Sequence, residues 1–216
     1  MYRHPTSEQN HATIKRVMTI FRNNMRQHRT LFIFLLVVLL ASCSKTLPKV
    51  DQALLDAAEQ GDATAQMKVA LAYDEAGAPE EAARWYTLAA EQGVSEAQNN
   101  LGVMYKEGQG VSQDYAEAAR WFMKAAEQDN TLSQLNLGWL YHAGKGVRQD
   151  ADSARYWYMQ ATEKGHPTAW LNLGILSLQQ GDTVQAEIQL LEAESMGNEG
   201  ARRLLEGIDR AREQKR

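Results

Sequence analysis

The sequence predicts an all-α protein, an α-solenoid of about four and a half helix-turn-helix repeats, on three observations. A tryptophan-led aromatic pair, Trp85-Tyr86, Trp121-Phe122 and Trp157-Tyr158, returns every 36 residues. A fixed interval of this size marks a row of like supersecondary units, each touching only its neighbours. Small and apolar residues recur at three- and four-residue spacings after residue 50, and no stretch there alternates with period two, so helices are expected throughout and strands nowhere. Glycines then punctuate the pattern at matching places, as in Ala89-Ala90-Glu91-Gln92-Gly93.

Self-alignment sets the units. Gly93 to Gln128 and Asp129 to Lys164 are 36 residues each; Gly61 to Gln92 and Gly165 to Met196 are 32 each, shorter by four residues at one loop. In the longer units the loop reads Gly108-Gln109-Gly110-Val111 and Gly144-Lys145-Gly146-Val147. Asp51 to Gln60 reads as a lone second helix covering the start of the row. Gly197 to about Glu213 reads as a lone first helix, whose Arg202, Arg203, Arg210 and Arg212 supply the polar face that a terminal unit needs.

Local chemistry agrees with these bounds. Asp114 and Asp150 precede helical runs and can accept from free first-turn amides, with Glu117 completing a capping-box pattern in the first case. Gly61, Gly93, Gly165 and Gly197 follow second helices, where a left-handed residue closes the end; Asp129 replaces that glycine once and is expected to be mildly strained. Gly102, Gly138 and Gly174 fall inside first helices, where glycine costs about 1 kcal/mol relative to alanine, so close approach of a neighbouring helix is expected there. Trp85, Trp121 and Trp157 are expected to pack between helices. In the fourth unit Ser177 stands in the tyrosine position and Gln189 in the tryptophan position, which predicts a looser, partly exposed last interface.

The run Ala97-Gln98-Asn99-Asn100-Leu101-Gly102, then Tyr105, Gly108-Gln109-Gly110-Val111, Asp114, Ala118 and Trp121-Phe122, through Ala125-Ala126-Glu127-Gln128, resembles a Sel1-like repeat. That family is similar to the tetratricopeptide repeat but has a longer loop inside its helix pair. About ten positions agree in each middle copy, and the resemblance covers roughly residues 51 to 213.

Upstream, Leu31 to Leu40 is an unbroken apolar run, preceded by Arg22, Arg26 and Arg29. Ten or eleven apolar residues are too few to cross about 30 Å of hydrocarbon as a helix but suit the h-region of a secretory signal. Its end, Leu40-Ala41-Ser42-Cys43, resembles a bacterial lipobox. That resemblance implies cleavage before Cys43, a diacylglycerol on its thiol and a third acyl chain on the new amino group; two or more chains anchor durably. Ser44, where inner-membrane lipoproteins often carry aspartate, favours the outer membrane. The other readings are an ordinary signal peptide with a chance cysteine, or an uncleaved anchor. Cys43 is the only cysteine, so no internal disulfide can form. Residues 1–24 are polar and make an unusually long n-region, whereas a start at Met25 has ordinary proportions; Met1, Met18 and Met25 remain candidate starts. The expected organisation is thus a misassigned or disordered extension (1–24), a lipoprotein signal peptide (25–42), a lipidated tether (43–50) and the repeat solenoid (51–216).

Charge and residue types narrow the function. Residues 1–42 hold six of the 23 basic and one of the 27 acidic residues, which leaves 17 against 26, a net charge of −9, for the remainder. Nucleic-acid binding needs basic clusters that displace counterions, and only the last helix has any, so no nucleic-acid partner is expected. His142 and His166 are the only histidines after Cys43 and lie in no metal-ligand spacing. No catalytic residue, cofactor or metal is expected, and an enzyme, such as an envelope hydrolase, is the remote alternative.

Binding residues follow from register. In tetratricopeptide repeats the first helices line a concave groove, and an asparagine before the Leu-Gly pair grips peptide backbone; the resemblance carries that role to Asn100, Asn136 and Asn172. An amide offers both donor and acceptor, so a ladder of three could hold an extended main chain without reading its sequence. The other reading is that these asparagines simply face water. Specificity would come from Val103, Trp139 and Ile175 at one matched position and from Lys106, His142 and Leu178 at another, with Trp139 the aromatic anchor. Trp170, standing where Gln66, Gln98 and Gln134 stand, is expected to be core packing. Relatives with Sel1-like repeats act as envelope adaptors, and some lipoprotein members resemble immunity proteins against antibacterial lipase effectors. The expectation is therefore a lipid-anchored scaffold that binds a protein partner, facing the periplasm from the outer membrane, with an immunity protein as the alternative.

Overall fold

Ten helices follow one another in the computed structural model, which describes residues 48–214, and no strand occurs among those residues. They are α1 (Gln52–Glu59), α2 (Ala63–Glu75), α3 (Pro79–Glu91), α4 (Ser95–Glu107), α5 (Tyr115–Ala126), α6 (Thr131–Ala143), α7 (Ala151–Glu163), α8 (Pro167–Gln179), α9 (Thr183–Ser195) and α10 (Glu199–Glu213). Helices α2/α3, α4/α5, α6/α7 and α8/α9 are the four pairs, with α1 and α10 as the half-repeats at the ends. Each helix packs on the next in the chain, and the first helices α6 and α8 also touch directly. Cys43 and the segments upstream of it lie outside the described residues.

The core is a series of clusters handed from one repeat to the next, as expected of a quasi-one-dimensional stack. Its most enclosed side chains are the second members of the aromatic pairs: Tyr86, Phe122 and Tyr158 are wholly buried. The tryptophans sit further out. Trp85 is buried, whereas Trp121 and Trp157 are half-buried and lean on the cluster of the preceding repeat. They do pack between helices, but the deeper anchor is the residue after each. The intra-helical glycines explain that depth. A Cβ at Gly138 would lie 2.6 Å from the Tyr158 ring, and one at Gly102 2.6 Å from Phe122, so the ring occupies the space a side chain would need.

Buried glutamines fix the register between repeats. Gln66 donates to the Ala58 carbonyl at 3.0 Å and Gln98 to that of Ala90 at 3.0 Å, so each first helix adds a side-chain donor to a carbonyl near the end of the helix before it, one that already accepts from the Gly61 or Gly93 amide. Gln92 and Gln128 in turn donate to the side-chain oxygens of Gln66 and Gln98 at 2.7 and 2.8 Å. Trp170 takes this position in the fourth repeat and is half-buried against the last two clusters.

Two local expectations need correction. Glu117 does not complete a capping box. Asp114 accepts from the Ala116 and Glu117 amides, but its own N–H donates to the Tyr105 carbonyl at 2.9 Å, and the Glu117 carboxylate instead pairs with Arg120 at 2.6 Å. With that amide already satisfied, the box has nothing to close. Nor are Ser177 and Gln189 a loose, exposed seam: both are buried, and the Ser177 hydroxyl donates to Gln189 Oε1 at 2.8 Å. The two departures from the pattern compensate each other, because a polar pair fills the space of an aromatic one and satisfies itself. Other expectations hold. Gly61, Gly93, Gly165 and Gly197 have positive φ, and Asp129, at φ 61°, is the one non-glycine among the described residues to share that conformation. Asp150 caps α7, and hydrogen bonds to its carboxylate, led by that from the Ser153 hydroxyl, hold its pKa below the ordinary value.

Candidate functional site

The first helices α2, α4, α6 and α8 carry matched positions at 74, 106, 142 and 178, and the asparagines at 100, 136 and 172. Side chains bridge this row from repeat to repeat: Lys106 Nζ donates to Asn136 Oδ1 at 3.3 Å, and His142 Nε2 lies 2.6 Å from Gln179 Oε1. Two adjoining clefts open between the helices. One, of about 600 Å³, is lined by Lys106, Glu107, Tyr115, Asn136, Trp139 and Asn172. The next, of about 460 Å³, is lined by Trp139, His142, Tyr158, Asn172, Ile175 and Gln179. Trp139 and Asn172 belong to both, so Trp139, 37% exposed, is the ridge between them.

Five of the six residues singled out by register therefore come together: Lys106, Asn136, Trp139, His142 and Asn172. Asn100 stands apart. It accepts from Asn99 at 3.1 Å and lies against the Tyr86 phenol, which burial pushes up to about 12. The three asparagines are thus not equivalent. Asn100 and Asn136 already have partners within the protein, whereas Asn172 makes no side-chain hydrogen bond among the described residues. Val103 and Ile175, matched to Trp139, are half-buried aliphatics, and Leu178, matched to His142, packs into the last cluster.

Sequence reasoning passed over three contributors. Tyr115 stacks obliquely on Trp139 with ring centroids 6.4 Å apart. Lys145, from the long loop, lies 5.2 Å from the Trp139 ring centre and 4.9 Å from that of Tyr115, a cation held over two aromatic faces. Tyr158 forms part of the second cleft. Lys145 and Tyr115 were visible as breaks in register, since their partners in the other middle repeat are Gln109 and Ala151. Charge is mixed around the clefts: Lys106 lies 3.5 Å from Glu107, and Lys145 adds a cation nearby. Among the described residues no cluster of three His, Cys, Asp or Glu side chains could hold a metal ion, and no helix is long and apolar enough to cross a membrane.

The comparisons agree with the repeat architecture. The Sel1 repeat model matches residues 63–94, 95–130 and 131–166. The chain carries three Sel1 repeats over residues 63–166. Among solved structures, c5321, a protective antigen of uropathogenic Escherichia coli strains displaying an SLR fold, is 33% identical over 71% of this chain and 35% of its own, with a TM-score of 0.65. A Sel1 repeat protein from Oxalobacter formigenes is 33% identical over 66% of this chain and 61% of its own, with a TM-score of 0.60. MamA, at 18% identity and a TM-score of 0.51 over 64% of this chain and 80% of its own, shares the fold alone. The chain spans about a third of the first of these structures and three fifths of the second. No curated protein matches the sequence. Sel1 repeats, like the tetratricopeptide-like folds they resemble, are typical of protein-interaction scaffolds and generally not catalytic.

Proposed function

We propose that this protein is a lipid-anchored adaptor of the bacterial envelope, which captures a segment of another protein along its first helices. The observation that carries the reading is Trp139: a large aromatic, part exposed, stacked by Tyr115 and Lys145, between two clefts edged with amide side chains. Partly exposed aromatic anchors with polar neighbours are the usual energetic centres of protein interfaces. The tether is Cys43, whose acyl chains would hold the solenoid at the membrane, with the periplasmic side of the outer membrane as the proposed address.

Site-specific photo-crosslinking in intact cells tests the reading. A crosslinker at position 139 is expected to trap one dominant partner, and one at Val184, 69% exposed on α9, to trap little. Equal trapping at both positions would remove the groove. Replacing Trp139, Asn136 and Asn172 together by alanine should abolish capture by a protein that stays folded. The anchor is tested separately: an alkyne-tagged fatty acid should label the wild-type chain and not Cys43→Ala, and an unlabelled wild-type chain would sink the tether while leaving the groove intact.

A further inference from the structure

A third cleft, of about 440 Å³, lies outside the groove and shares no residue with the two clefts described above. It opens between α5 and the long loop of the third repeat, walled by Ala116, Ala119, Met123, Tyr141 and Val147, with Arg120 and Lys124 as its charged residues. Repetition supplies two matched places for comparison. Between the first and second repeats, Glu80, Arg84, Thr87 and Leu88 stand where Ala116, Arg120, Met123 and Lys124 stand here, and Glu80 offsets Arg84. Between the third and fourth, Asp152 offsets Arg155, which takes the place of Ala119. Only the middle place has two cations and no carboxylate at these positions, in a chain whose acidic residues outnumber the basic by 27 to 23.

Packing does not require this composition, since the first repeat forms the same helix pair with Glu80 and Leu88, both exposed. Arg120 is paired with Glu117 at 2.6 Å, whereas Lys124 pairs with no carboxylate among the described residues and lies 4.1 Å from the Trp121 ring centre. Lys124 is therefore the uncommitted charge at the cleft. What the cleft lacks limits its guest. Apart from the two cations and the Tyr141 phenol its lining side chains are apolar, so they cannot satisfy the N–H and C=O groups of a peptide main chain. An alkyl chain has no such groups, and each methylene taken out of water favours binding.

We infer that this cleft is a binding site for a single-chain anionic amphiphile, the alkyl chain lying along Ala116, Met123 and Val147 and the acid group bonded to the Lys124 ammonium. An apolar wall with a few polar groups is the usual make-up of a small-molecule site. The ammonium has three donors, so it can bond a carboxylate or phosphate oxygen while it stays over the Trp121 face, and such charge-assisted bonds are the stronger kind. Ala116 contributes by what it omits, because the carboxylate that Glu80 sets at the matched place would repel the same acid group. Met123 and Val147 are half-buried, so part of each is open to a guest. The site is independent of the groove, since it uses neither Trp139 nor the asparagines.

Photolabelling of the full chain with dodecanoate bearing a diazirine near its chain end, in a bile-salt detergent that has no alkyl chain, tests this. The label is expected on α5 and the long loop of the third repeat, located by mass spectrometry of the digest. Unlabelled dodecanoate should displace it, and dodecanol should do so about tenfold less well, the scale of one charge-assisted hydrogen bond. Ala116→Glu with Lys124→Leu, which installs what the first repeat carries, should weaken labelling about tenfold at an unchanged melting temperature. Should that double variant melt lower, Lys124→Leu against Lys124→Arg decides the same point, the first losing the label and the second keeping it. Lysophosphatidylglycerol added as a competitor identifies the source within the class: displacement points to a membrane lysolipid, and no displacement to a free fatty acid. A label spread over the exposed apolar residues of α7 and α9, such as Met159 and Leu191, would overturn the site. So would dodecanol that competes as well as dodecanoate, or labelling indifferent to Lys124→Leu.

Discussion

The two middle repeats and the two outer ones differ by four residues in one loop, and that loop joins a repeat to the one before it. In the second repeat Gly110 lies so close to the start of α3 that a Cβ there would be 2.1 Å from the Pro79 carbonyl oxygen. In the third, Gly146 stands likewise on α5, 2.2 Å from the Tyr115 carbonyl carbon. The following valines, Val111 and Val147, complete the clusters beneath. The fourth repeat turns instead through Gln180-Gly181-Asp182, and no such loop reaches back over α7. Met123 and Met159 show the consequence at one matched position: the first is half-buried in the cluster that holds Val147, the second 52% exposed. Tyr156 beside it is 55% exposed, and Arg155 crosses to Gln180 in place of the missing loop. Repeats of one family are thus joined by two different devices, a backbone clasp in the middle and side-chain bridges at the end.

Breaking the clasp should have the largest effect. Gly146→Ala places a methyl group into the Tyr115 backbone and also demands a left-handed alanine. Overpacking and the conformational penalty together predict a loss of roughly 2–4 kcal/mol in urea unfolding. Gly165→Ala is the control, since its φ is 72° but nothing lies within 4 Å of the added methyl, and it should lose only about 1–2 kcal/mol. Equal losses would mean that the loop is a connector and not a clasp.

Gly138→Ala comes next, because its methyl would sit 2.6 Å from the Tyr158 ring. Overpacking of about 1–3 kcal/mol is partly offset by alanine's better helix propensity of about 1 kcal/mol, so a net loss of about 0–2 kcal/mol is expected. The methionine pair sharpens the comparison directly. Met123→Ala should cost about 2 kcal/mol and Met159→Ala less than about 0.5 kcal/mol, as expected of a packed and an exposed site. Similar values would show that the fourth repeat is covered as well as the third. Within the fourth repeat, a double-mutant cycle on Ser177→Ala and Gln189→Ala should give a coupling of about 1 kcal/mol, the worth of one buried hydrogen bond; no coupling would return that seam to the loose state its composition suggests.

Much of this was legible in the chain because repetition turns one sequence into several aligned copies. Helix bounds, both half-repeats, the left-handed glycines and the tight approach at Gly102, Gly138 and Gly174 all follow from short-range rules. Long-range partners did not. Nothing in the chain says that Ser177 and Gln189 face each other across a helix pair, since each alone breaks the pattern and only together do they satisfy it. The glutamine ladder through Gln66, Gln98 and Gln134 repeats as plainly as the tryptophans, yet a polar residue at helical spacing reads as surface until its carbonyl partner is known. At the clefts, register found Trp139, His142 and the asparagines, but not that Asn100 and Asn136 are already engaged while Asn172 makes no side-chain hydrogen bond among the described residues. That distinction depends on where Lys106 and Tyr86 reach in space.

The smallest effect tests the repeat boundary itself. Asp129 carries φ 61° where the first, second, fourth and end units use glycine, and a residue with a Cβ pays about 1–2 kcal/mol in that region. Glycine there removes the strain but adds freedom to the unfolded chain, worth about 0.5–1 kcal/mol in the other direction. Asp129→Gly should therefore stabilise by about 0.5 kcal/mol, seen as a higher urea midpoint at unchanged slope. Asn130, which caps α6 through Ser133, should be untouched by the change. A lower midpoint would mean that the Asp129 side chain contributes something at this boundary that the glycines of the other repeats do without.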